Sequence, residues 1–110
     1  MAVLVLADER RIPLEVANTR TTRRHGLLGR DSVGGGALLL TKCRSVHTFG
    51  MRFAIDVAHL DSSLCVLRIH MMVPRRLGRI VRRSRQIIEA DCGAFALWNV
   101  AVGDQLQVER

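Results

Sequence analysis

The sequence predicts an α+β domain, a mostly antiparallel, barrel-like sheet with two short helices, and three observations carry that prediction. Short apolar runs recur along the chain between polar turns. The stretch from Met51 alternates apolar and polar residues as a strand does. Helix signals occur in only two places, after Asn18 and after Asp91. At 110 residues the chain fits one domain, 1–110, long enough to bury a core without disulfide staples.

AVLVLA (Ala2 to Ala7) and RIPLEVA (Arg11 to Ala17) flank the polar turn Asp8-Glu9-Arg10, which predicts a β-hairpin. In NTRTTRRHGLLGR, Asn18 or Thr19 can cap a helix of two to three turns ending near Gly29, although no acidic residue completes a capping box. Gly34-Gly35-Gly36 then reads as a flexible turn into ALLL, because no GK[ST] follows to make it a phosphate loop. From Met51, the residues Met51, Phe53, Ile55, Val57 and His59 fall on one strand face, and Arg52, Ala54, Asp56, Ala58 and Leu60 on the other. Asp61-Ser62-Ser63 turns this strand into a second, Leu64 to Met72, and Gln86 to Ala90 returns as a third. Asp91 can cap a short helix carrying Phe95 and Trp98, and a turn at Gly103-Asp104 leads to a last strand. Met71, Met72, Phe95 and Trp98 read as core.

Composition narrows the function classes. No apolar run approaches the roughly 18 to 20 residues of a membrane span, and MAVLVLADERR lacks the pattern of a signal peptide. A cytoplasmic protein without membrane partners is expected. Three cysteines, Cys43, Cys65 and Cys92, are widely spaced without CxxC, so free thiols are expected and no metal ligand set is assigned. The formal charge is +7, and Pro74 to Arg85 alone holds six arginines. Such a loop could neutralise phosphates weakly and without sequence preference. Aromatics are scarce, with no tyrosine, and no nucleic-acid-binding signature accompanies the charge, so a solvated loop is the plainer reading.

CRSVHTFGMRF, Cys43 to Phe53, is the stretch richest in chemistry. If Cys43 to His47 is extended, thiol and imidazole share a face but stand about 13 Å apart at roughly 3.3 Å per residue, too far for a catalytic dyad. A metal would need two further ligands that no spacing supplies. The same residues suit binding: Arg44 offers a planar fork, Ser45 and Thr48 hydroxyls, and His47 a donor or an acceptor. With Asp56 they form the expected ligand site: Arg44, Ser45, His47, Thr48 and Asp56. The competing reading pairs Arg44 internally with Asp56 or Glu89 in a purely structural network. Arg52 and Asp56, two strand steps apart, would leave a small groove or form a surface ion pair. His25, His59 and His70 have no partner identifiable from sequence.

Taken together, GLLGRDS, CRSVHTFGMRFAIDVAHLD and IIEADCG with VAVGDQLQV resemble the bacterial family called domain of unknown function 192, DUF192, over Leu14 to Val108. The resemblance implies a small α+β fold rich in β-structure with a polar motif at its centre, and it brings no reaction or cofactor with it. The sequence departs from the family pattern at Ala54, where proline is common, at Ser63-Leu64, where Asp-Gly is usual, and at Cys92, where alanine is typical. A non-catalytic module binding a small anionic ligand or a partner protein is therefore expected. A small enzyme using His47 or Cys43, and a weak nucleic-acid binder through 74–85, are the alternatives.

Overall fold

A computed structural model describes residues 2–110. Seven strands and two helices follow in the order β1 (Ala2–Val5), β2 (Arg11–Ala17), α1 (Arg20–His25), β3 (Ala37–Thr41), β4 (Ile55–Leu60), β5 (Val66–Met72), β6 (Gln86–Asp91), α2 (Ala94–Leu97) and β7 (Gln107–Glu109). They form one mixed sheet in the order β5-β4-β6-β3-β2-β1-β7. Every pairing is antiparallel except β2 with β3, where the chain crosses over through α1 and the glycine loop. The segment before β7 turns back to the start of β5: Val66 N–H donates to the Asp104 carbonyl at 2.9 Å, and Leu106 N–H to that of Leu64 at 3.1 Å. The two ends of the sheet are thereby drawn together into a half-barrel. No helix among the described residues is long and apolar enough to cross a membrane.

Both sheet faces are buried centrally, because something packs on each. On one, Leu39, Ala58, Leu60, Ile88 and Ala90 meet Phe95 and Trp98 at α2, together with Leu4 and Leu106. On the other, Leu38, Leu40, Ile55, Val57 and Ile87 lie beneath Leu27 and Met51, with Cys43 and Val46 packed alongside. Double coverage corrects the half-exposed strand expected from Met51. All six residues of β4 are buried, and the strand begins only at Ile55. A strand covered on both faces tolerates apolar side chains at every position.

The helices also differ from expectation. α1 has six residues and ends at Gly26 (φ 51°), not Gly29. Its capping box does form, with no acid: Thr19 Oγ1 accepts from Thr22 N–H at 3.1 Å, and Thr22 Oγ1 accepts from Thr19 N–H at 3.0 Å. Asp91 does not cap α2. It closes β6, and its Oδ1 accepts from Val33 N–H at 2.8 Å. The N-terminal N–H groups of α2 are served instead by Asp56 from β4, whose Oδ2 accepts from Gly93 at 3.1 Å and Phe95 at 3.2 Å. Met71 is exposed, unlike Met72, Phe95 and Trp98. Where the family pattern has Gly, Leu64 takes the left-handed conformation (φ 68°) that glycine would adopt without strain.

Candidate functional site

Residues 42–50, the polar motif, form no strand. Lys42 (φ 52°) and Gly50 (φ 81°) bend the chain at either end, and Cys43 Sγ–H turns back to donate to the Ser45 carbonyl at 3.0 Å. The extended course expected for Cys43 to His47 is thus replaced by a folded loop. It is held along one side by the arginine-rich segment: Gly78 N–H donates to Val46 O at 2.8 Å, and Val81 N–H to Arg44 O at 3.1 Å. A Cβ at Gly78 would collide with the Val46 carbonyl, which explains a glycine amid the arginines. Along its other side the motif loop meets the end of α1, and a cavity of about 110 Å³ remains between them.

That cavity gathers Arg23, Arg24 and His25 from α1, Cys43, Ser45 and His47 from the motif loop, and Glu89 from β6, with Leu27, Leu40 and Met51 as apolar wall. Glu89 is only 4% exposed. Its neighbours across the sheet are Leu38 on β3 and Val57 on β4, and its carboxyl has no hydrogen-bond or ion-pair partner among the described residues. Burial alone pushes it up to about 7 from the ordinary 4.5. The Cys43 thiol is likewise pushed up, mainly by burial and further by the Glu89 charge. Its hydrogen bond to Ser45 and the Arg23 charge pull the other way. A thiol so placed is not a ready nucleophile.

Of the five residues expected to bind a ligand, Ser45 and His47 line this cavity. Thr48 is fully buried and committed to holding a turn: its hydroxyl donates to the Val73 carbonyl at 2.6 Å and accepts from Arg76 N–H at 2.9 Å. Asp56 faces the opposite side of the sheet, engaged with α2. Arg44 is exposed, and the expected internal pairing with Asp56 or Glu89 does not occur. It borders a separate groove with Lys42, Ser62, Ser84 and Arg85. Two conditions for pairing are missing: Asp56 lies behind the sheet, and the bent loop turns Arg44 outward. Nor do Arg52 and Asp56 form a pair or groove, since Arg52 reaches Asp31 at 3.5 Å.

Arg23, Arg24, His25 and Glu89 are the site residues that sequence reasoning did not assign. The one signal available was a lone carboxylate in the otherwise apolar run Ile87-Ile88-Glu89-Ala90.

His59 is buried away from this cavity, with Nδ1 3.0 Å from Ser84 Oγ and its ring stacked on His70. Burial, followed by the charges of His70 and Arg68, lowers His59 to about 4.

Two solved structures share the fold over nearly the whole chain. One is from Sinorhizobium meliloti, described as a "putative transcription regulator", with a TM-score of 0.82 and 20% identity over 97% of this chain and 91% of that one. The other, a protein of unknown function from Novosphingobium aromaticivorans, has a TM-score of 0.82 and 15% identity over 96% and 82%. No curated protein matches the chain. The family model DUF192, described as "Uncharacterized ACR", matches residues 3–108. The chain belongs to the DUF192 family.

Proposed function

We propose that the protein is a non-catalytic binding module for a small ligand carrying an anionic group, held between α1 and the motif loop. The observation that carries this reading is the convergence on one cavity of Arg23, Arg24 and His25 with the polar side chains of Ser45 and His47. Two guanidiniums and two imidazoles beside a hydroxyl form a donor-rich rim, and the apolar wall limits competing water. The volume is well under the roughly 300 to 1,000 Å³ of a drug-sized ligand site, so the bound group is small. The raised Cys43 thiol supports binding over nucleophilic chemistry. In this reading Ser45 and His47, which line the cavity, contact the ligand, and Arg23 and Arg24 of α1 supply the charge that was expected from Arg44.

Titration with sodium acetate at low ionic strength, followed by amide chemical shifts, tests this. Saturable shifts are expected at Gly26, Ser45 and His47, abolished in a combined R23A and R24A variant and retained in Arg44→Ala. Shifts that instead follow Arg44 and residues 75–85, or that never saturate, overturn it.

A further inference from the structure

We infer that the ligand of this cavity is a small zwitterion, its anionic group held by Arg23 and Arg24 at the rim and its ammonium group by the Glu89 carboxylate beneath. The inference rests on the binding reading above and sharpens it.

Three charged side chains line one small cavity without pairing. Arg23 donates to the carbonyl of Asn18, just ahead of the α1 cap, at 3.1 Å, so it is oriented by that segment and not by Glu89. Glu89 stands on a central strand among apolar neighbours, with no partner among the described residues. Cys43 lies close enough to both to feel each charge, Glu89 opposing ionisation and Arg23 favouring it. The protein therefore holds a carboxyl and two guanidiniums around a gap that they do not close themselves. The Glu89 carboxyl oxygens keep a little accessible surface, unlike the orphaned ring nitrogens of His59 and His70, and a charge this deep is costly unless it is paired. A molecule with opposite charges at its two ends would satisfy both sides at once. A simple anion would satisfy the rim and leave Glu89 either unpaired or repelling it.

Glu89 is faced from α1 by Arg23, Arg24 and His25, from the motif loop by Cys43 and His47, and across β3 and β4 by the apolar Leu38 and Val57, with His70 one strand further out. An ammonium group prefers the ionised carboxylate. Zwitterion affinity should thus rise as pH rises through about 7, the range where Glu89 loses its proton.

The test titrates the full chain with β-alanine, with propionate as the anion alone and with ethylammonium as the cation alone, at constant ionic strength and at pH 6 and 8. β-Alanine should bind about tenfold or more tighter than either single-charge probe at pH 8, the ratio one charge-assisted hydrogen bond carries. It should release about half a proton per site at pH 7, measured as buffer-dependent binding heat. Glu89→Gln should reduce β-alanine to the affinity of propionate and abolish the proton release. Equal binding of β-alanine and propionate, unchanged by Glu89→Gln, overturns the zwitterion while leaving the anion pocket intact. Propionate tightening on acidification and outcompeting β-alanine does the same. No binding by any probe overturns both readings.

Discussion

Asp56 and Glu89 are buried carboxylates on neighbouring strands, almost opposite in register, since Asp56 pairs with Ala90 and Val57 with Glu89. That offset of one residue sends them to opposite faces of the sheet. On the α2 face Asp56 accepts two backbone N–H groups and completes the helix terminus. On the α1 face Glu89 is likewise buried and accepts from no donor among the described residues. The first carboxylate stabilises the fold. The second costs stability, and such a cost is most readily maintained where it serves a site.

The largest expected effect breaks the structural side of the contrast. Asp56→Ala removes two hydrogen bonds to the carboxylate and leaves the buried Phe95 N–H and the part-buried Gly93 N–H at α2 without partners, a loss of about 3 kcal/mol. Denaturant unfolding measures it. A midpoint near that of wild type would show that α2 does not depend on Asp56.

Comparable in size, and opposite in sign, is Glu89→Gln. The folded-state value of Glu89 lies above its unfolded value, so between pH 4.5 and about 7 the folded state holds more protons than the unfolded one. Stability from this group is therefore lost as pH rises through that window, and the loss is complete above it. At pH 8, Glu89→Gln should stabilise the protein by about 3 kcal/mol. His59 contributes the opposite slope, because it stays neutral when folded and takes up a proton below 6.5 when unfolded. Its stabilisation is lost as pH falls from 6.5 towards about 4. The two slopes offset each other in wild type, and Glu89→Gln should expose the histidine slope as stability that rises with pH from 4 to 6.5. Identical pH profiles for the two proteins would contradict the account of Glu89.

The smallest effect belongs to Arg44, which sequence reasoning placed at the centre of the site. Wild type, Arg44→Lys and Arg44→Ala should unfold at matching midpoints, because the side chain is exposed and unpaired among the described residues. A large loss in either variant would restore it to the structural network.

Different parts of the molecule were legible for different reasons. The first hairpin and the strand Gln86–Asp91 could be read because apolar runs bounded by turn residues leave little alternative. Alternation before Ile55 misled, since Met51 and Phe53 lie in a loop that packs over the sheet without pairing in it. The family resemblance located the motif, and Ser45 and His47 within it do line the cavity. Neither Asp56 nor Glu89 could be assigned from sequence, because their roles depend on which face each strand position takes and on what covers that face. Arg23 and Arg24 were hidden for a related reason: within a chain of 17 basic residues, only the packing of α1 against the motif loop distinguishes them.

Glu89 is a buried carboxyl without a partner among the described residues, open to the cavity under the α1 rim. Its carboxyl carbon, followed by NMR against pH in protein labelled with 13C-glutamate and assigned by the signal missing from Glu89→Gln, reports this directly. A titration midpoint of about 7 is expected. A midpoint at or below 4.5 would mean that a cation, Arg23 or Arg24 foremost, already pairs with it and that no gap remains for a ligand to close.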